Sequence, residues 1–424
     1  MDGNISTANP PPKASNRLLP ADRAVHDWYR FVLAFPPHLV RHYLDRFGVK
    51  PGYRVMDPFC GTGTTVVEAL KQGCDVVGFE PNPMAWLASR TKTDWSPDAN
   101  SLRTAAQRCA AQARLMLRDM SNLRSLPDEA NVLLLKHSIC ERPLHRALTL
   151  RDVIDAQMEG VERDYARLAL AQVLVQSASN LHFGPEVGVR GRRGDADVVG
   201  AWLERMLVMA DDLRVGRLGE RGGRAVIYQY DSREAPVMLE PRSIDAVFTS
   251  PPYPNEKDYT RTTRLESVIL GMVNDKPQLR SIKRQLVKSN TRGVYISDTD
   301  ERWVAGHPRI EAICQDIERR RLDLGKTSGF ERLYHRVTRL YFGGMVRQLT
   351  ALRPALKPGA SLGYVVGDQA SYLQVMIRTG EIMAELAESL GYEVVSLDLF
   401  RERFATATRA QLREEVLVLR WPGP

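Results

Sequence analysis

Apolar residues along this chain follow two rhythms. Short solid runs, as in YRVM, DVVGF, IDAVF and SLGYVV, have the length and bounding turn residues of buried strands. Longer stretches with apolar positions three or four apart, as in TTVVEALKQG, have the spacing of helices. The two rhythms alternate from the start. Residues Tyr53 to Met56 lead into the turn DPFCGTGT, a helix follows, and DVVGFEPN reads as a second strand. A strand, glycine-rich turn, helix and strand open a doubly wound α/β sheet, whose ligand lies beyond the carboxyl ends of the strands.

The pattern divides the chain. Residues 1–20 are polar and proline-rich and read as a flexible tail. Residues 21–95, 224–254 and 331–424 carry the sheet-forming alternation. The first of these opens on a helix-like stretch, Ala21 to Val49, broken by Pro36 and Pro37 and closed by Gly48. Residues 96–223, rich in Ala, Leu and Arg, predict a helical insertion with a polar interruption at GPEVGVRGRRGDAD. The sheet resumes with AVIYQYD and IDAVFTSPPY. A second insertion, 255–330, contains KPQLRSIKRQLVKSNTR, with six Lys or Arg and no acid. Two late strands, YEVVSLDLF and EEVLVLRW, are too close together for a crossover helix and predict an antiparallel hairpin at the sheet edge.

Composition adds little to this picture but removes some alternatives. With 43% hydrophobic and 26% charged residues the chain has ordinary globular values, and it holds no apolar run that would span a bilayer. The start lacks the basic-then-apolar pattern of a secretory signal. Five cysteines, Cys60, Cys74, Cys109, Cys140 and Cys314, fall without paired spacing, which argues against disulfides and zinc and fits a reducing cytoplasm. No metal is expected. The net charge of +8 leans toward polyanionic partners.

Two turns carry the chemistry. In DPFCGTGT, Gly61 and Gly63 leave room for close approach of a ligand or for positive φ, and the helix beginning near Thr64 offers free N–H groups to a carboxylate. Asp57 at the strand end can meet an ammonium group. Glu80 is placed to accept from ribose hydroxyls, and Asp231 from an adenine amino group. In TSPPYP, Pro251 and Pro252 fix the backbone and remove donors, so carbonyls and the Ser250 hydroxyl can face something that donates, such as an exocyclic NH₂. Tyr253 supplies an aromatic face for a base taken out of its stack. Arg190, Arg192 and Arg193, with Lys283, Arg284 and Lys288 of the acid-free run, are candidates for phosphate contact.

DPFCGTGT and SPPY resemble the cofactor-binding and catalytic motifs of the amino-group DNA methyltransferases, and AFPPHLV, DYTRTTRLE and ALKPGASLGYVVGD are similar to that family as well. The resemblance implies a Rossmann-like S-adenosylmethionine-dependent fold. It implies Asp57, Phe59, Gly61, Gly63 and Thr64 on the methionine part, Glu80 on the ribose and Asp231 on the adenine. Ser250, Pro251, Pro252 and Tyr253 would hold the target base. SPPY is the form usual in cytosine-N4 enzymes, although here the cofactor motif precedes it, unlike in many of them. The expected partner is double-stranded DNA with a flipped base, with a cognate restriction enzyme in the background. Adenine N6, an RNA amino group, and a non-catalytic DNA-binding role are the alternatives. No Pro-Cys dipeptide occurs, so C5-cytosine chemistry is set aside.

Overall fold

Strand residues on alternate sides of one sheet fall into two separate apolar cores, and that division organises the molecule. The computed structural model describes residues 18–31, 34–184, 186–215, 222–254, 258–405 and 410–424; most of the expected N-terminal tail lies outside these. Among them are nine strands: β1 (Arg54–Asp57), β2 (Asp75–Phe79), β3 (Leu181–Phe183), β4 (Val187–Val189), β5 (Ala225–Tyr228), β6 (Ile244–Thr249), β7 (Leu356–Gly367), β8 (Glu393–Ala405) and β9 (Ala410–Arg420). Seven of them form one sheet in the order β5-β2-β1-β6-β7-β9-β8. The first five are mutually parallel. The expected terminal hairpin is antiparallel, with its second strand, β9, paired to β7 and its first, β8, at the edge.

Val55, Val76, Phe248, Val365 and Val416 point into one core, while their neighbours Met56, Val77, Val247, Val366 and Leu417 point into the other. This is the period-two alternation of a sheet covered on both faces. The chain runs outward through β1, β2 and β5, then returns to β6 on the opposite side of β1. Ligand crevices form at such a reversal.

The long central segment is helical as expected, with helices at Ala99–Met116, Glu141–Gln157, Gly160–Val173 and Val198–Val215. Its apolar side is continuous with the first core. A small hairpin, β3–β4, spans the start of the polar interruption, which the composition did not announce. Residues 258–330 begin in the first core with Leu265 and Val268 and end in the second with Ile310 and Cys314. Between these anchors the chain crosses the carboxyl ends of the strands. Near the start, α-helix among the described residues is confined to Arg23–His26, broken by non-helical backbone at Ala24 and Val25, and to Pro37–Arg46, with a short 3₁₀ turn at Pro20–Asp22. Trp28 and Tyr29 pack into the first core from non-helical backbone, so the apolar run there covers a surface and does not form a helix face.

Candidate functional site

β1 ends at Asp57, which is fully buried. Its Oδ1 accepts from the Phe59 amide at 3.0 Å and from the Thr249 hydroxyl at 2.6 Å. Its Oδ2 has no hydrogen-bond partner of good geometry. Burial pushes its pKa up to about 6, against the opposing pull of the Thr249 hydroxyl, the Phe59 amide and the Thr65 hydroxyl.

The turn that follows needs both glycines. Gly61 and Gly63 have φ of +50° and +89°. A Cβ on Gly63 would stand 3.0 Å from Ser89 Cα, because the turn packs on the helix Pro83–Thr93. Gly63 is also the N-cap of the helix Thr64–Lys71 and brings no capping side chain, so the first amides of that helix keep their bonding capacity. Glu80 ties the turn to the end of β2, accepting from the Gly61 amide at 3.0 Å and the Asn82 amide at 2.8 Å. Burial raises its pKa to about 7.

The turn and Glu80 open onto a cavity at the carboxyl ends of the strands, lined by Phe59, Gly61, Thr64, Glu80, Asp231, Ser250 and Pro252 among others; Asp57 and Gly63 lie behind this lining and are not part of it. Asp231 caps the 3₁₀ turn Ser232–Met238, and the Arg233 guanidinium grips its carboxylate at 2.7 to 3.0 Å. Ser250 lies beyond the end of β6, its hydroxyl 3.4 Å from the Val365 carbonyl. Pro251 and Tyr253 are not lining residues. The Tyr253 ring lies over Gly367 at the end of β7, where a Cβ would come within 2.6 Å of it.

Two further walls close the cavity. Phe31, Ala34 and Phe35 reach it from the N-terminal arm, and Lys283 and residues 285–290 reach it from the basic segment. That second wall changes the reading of the basic run. Lys283 lines the cavity and pairs with Asp258 at 2.7 Å. Lys288, expected at a phosphate, is instead buried: it donates to the Lys283 carbonyl at 2.7 Å and pairs with Asp298 at 3.5 Å. Burial lowers its pKa to about 8. Arg284 is exposed, with its guanidinium 5.5 Å from the Tyr295 ring centroid. Arg190, Arg192 and Arg193 are all exposed beyond β4.

Three residues of the site were not anticipated. Thr249 opens the TSPPYP turn, but the motif alone assigns it no role. Asn82 lines the cavity and bonds Thr263 at 3.1 Å. Lys92 is buried without an acid, its ammonium held by the carbonyls of Thr62, His26 and Tyr29. Nothing in a helical lysine marks such a role.

A parallel sheet reversed beside β1, a glycine turn after β1, an acid after β2 and an SPPY turn after β6 give the chain the sheet and strand-end pattern of a Rossmann-like methyltransferase fold. The DNA methylase family model matches residues 9–86. Type II methyltransferase M.BsoBI from Geobacillus stearothermophilus is 22% identical over an alignment of 447 positions, covering 95% of this chain and 86% of the relative. Type II methyltransferase M.AvaI from Nostoc sp. is 28% identical over 188 residues, 42% of this chain and 38% of that one. A tRNA (guanine(10)-N2)-dimethyltransferase from Methanothermobacter thermautotrophicus is 48% identical over 44 residues, 10% of this chain and 13% of that one. These likenesses support the amino-group DNA methyltransferase family, and the DPFCGTGT motif stands ahead of the SPPY motif in this chain.

Proposed function

We propose that this protein methylates an exocyclic amino group of a DNA base, cytosine N4 in the first place, using S-adenosylmethionine. The observation that carries the reading is one cavity shared by Gly61, Glu80 and Asp231 on one side and Ser250 and Pro252 on the other. The bare, buried Oδ2 of Asp57 fits an ammonium group, and the open start of the helix at Thr64 fits a carboxylate, which together match an amino acid moiety. Phe59, Gly61, Gly63 and Thr64 would complete that end, Glu80 would take the ribose hydroxyls, and Asp231 the adenine amino group. When bound, the cofactor supplies an electrophilic methyl group on a sulfonium.

The chain's own residues position the acceptor. The Ser250 hydroxyl and Pro251 carbonyl accept from the amino hydrogens, so the nitrogen lone pair turns out of conjugation. Pro252 keeps that backbone rigid, and Tyr253 offers its ring to the base. Positioning and electrostatics lower the barrier without a covalent adduct. A base must leave the duplex to reach such a cavity. Arg190, Arg192, Arg193, Lys283 and Arg284 are the proposed phosphate contacts. The likeness to Type II methyltransferases supports a partner restriction enzyme and a bacterial cytoplasmic setting.

A short likeness to a tRNA dimethyltransferase favours a second reading, transfer to an RNA amino group, because the same acceptors serve either polymer. Incubation with labelled S-adenosylmethionine and either bacterial genomic DNA or total tRNA separates them. Label in DNA alone is expected; label in tRNA alone would overturn the proposed substrate.

A further inference from the structure

Ile296 is the most exposed large apolar side chain among the described residues, at 98% of its full accessibility. It does not sit on a loose segment. The Tyr295 amide donates to the Asp298 carboxylate at 2.7 Å, and the Asp298 amide donates to the Tyr295 carbonyl at 3.1 Å. Arg336, on the long helix Tyr334–Leu352, donates to the carbonyls of Tyr295 and Asp298 at 3.3 and 2.9 Å. The buried Lys288 pairs with the same Asp298. Both ends of a tight turn are therefore fixed to the body of the protein, and an isoleucine is held out in water at its tip. Within this molecule that arrangement gains nothing from apolar burial.

Its neighbours indicate what covers it. Gly293 and Asn290, just before the turn, line the cavity that also holds Ser250. Arg280, Arg284 and Arg292 are exposed. Arg280 and Arg284 stand one helical turn apart on Lys276–Gln285 and so share a face. The Arg284 guanidinium lies over the Tyr295 ring and that of Arg292 over Phe330, at 5.5 and 5.8 Å from the centroids. A cationic surface with a rigid, fully exposed apolar point three residues along the chain from the cavity wall at Gly293 matches double-stranded DNA. Its phosphates meet the arginines, and its stacked interior is the apolar surface within reach.

We infer that Ile296 is a wedge that enters the base stack of duplex DNA and fills the gap left when the target base turns into the cavity, with Arg280, Arg284 and Arg292 on the flanking phosphates. This inference rests on the DNA reading of the site given above.

The test begins with the wild-type protein on bacterial genomic DNA, where mapping the methyl groups fixes their sequence context. If wild-type protein methylates no DNA, the underlying reading fails and takes the wedge with it. Two duplexes of the mapped context are then compared, one fully paired and one with an abasic position opposite the target. On the paired duplex Ile296→Ala is expected to lose about tenfold in kcat/KM, because the unstacking cost falls on that step, and to recover most of it on the unpaired target. Melting temperature and S-adenosylmethionine affinity should match wild type, and Ile296→Leu should keep the wild-type rate. An equal loss on both duplexes, or no loss on either, overturns the inference.

Discussion

Asp57 has one oxygen satisfied by Thr249 and Phe59 and the other bare, in full burial. Its pKa near 6 gives a signed expectation. In the free protein the raised value means that protonation favours the fold below about pH 6, a contribution lost as pH rises through it. A cationic ammonium reverses that preference, because it stabilises the charged carboxylate. Cofactor affinity measured by calorimetry should therefore fall toward about tenfold per pH unit below the Asp57 pKa, and Asp57→Asn should flatten the part of the slope that this carboxylate supplies. A wild-type affinity independent of pH between 7 and about 5 would contradict the ammonium role.

Gly63 is the second residue with a sharp consequence. Its φ of +89° and the 3.0 Å approach to Ser89 leave an alanine both strained and crowded. Gly63→Ala should cost about 1–2 kcal/mol of stability in denaturant titration and weaken cofactor binding. Unchanged stability would show that the turn relaxes freely. Gly61, Gly63, Glu80 and Ser250 could be picked out from sequence because each sits in a short motif at a strand end. Lys92 could not. Its role comes from three carbonyls contributed by the arm and the turn, and a helical lysine reads as solvated until its surroundings are known.

At the scale of elements, that lysine joins the N-terminal arm to the cofactor turn. Lys92→Met keeps the bulk and removes the donors, leaving buried carbonyls unpaired. A loss of about 1–3 kcal/mol in stability is expected, with a weaker cofactor affinity, because Phe31 and Phe35 on the same arm wall the cavity. A destabilised variant that binds cofactor like wild type would confine Lys92 to a packing role.

The loop after β4 is the strongest basic element outside the wedge region. Its backbone is fixed to Asn180, through the Arg190 and Arg193 amides at 2.8 and 2.7 Å, while the arginine side chains stay exposed. Replacing Arg190, Arg192 and Arg193 with alanine should weaken DNA binding across sequences and reduce the slope of log K against log salt by roughly 2–3. An unaltered slope would remove this loop from the interface. The acid-free run shows why charge in a sequence is a poor guide to contact. Of its cations, Lys288 is buried as an anchor and Lys283 is paired with Asp258, while Arg284 remains exposed. Asp258 and Asp298 lie outside the run, so nothing within it announces their pairing.

Over the whole molecule, the sheet was legible because its strands are short apolar runs that must be covered on both faces, and the cores divide residue by residue as that pattern requires. What the pattern could not supply is how the long segments return to the site. Asp57 and Thr249 lie 192 positions apart and meet at 2.6 Å, joining the glycine turn to the SPPY segment. The basic segment, expected as an insertion for target recognition, crosses the strand ends to wall the cavity, and the hairpin β3–β4 runs into a polar stretch. Such long-range closures depend on packing that no local periodicity carries.

The central claim is methyl transfer to an amino nitrogen of a base held at Ser250. It is tested most directly by digesting DNA treated with wild-type protein and S-adenosylmethionine to nucleosides and identifying the methylated one by mass spectrometry. The account predicts N4-methylcytosine from wild-type protein, and a large loss of product from Ser250→Ala with cofactor binding retained. N6-methyladenine alone would contradict the choice of base, and a methyl group on carbon, or none on any base, would contradict the chemistry.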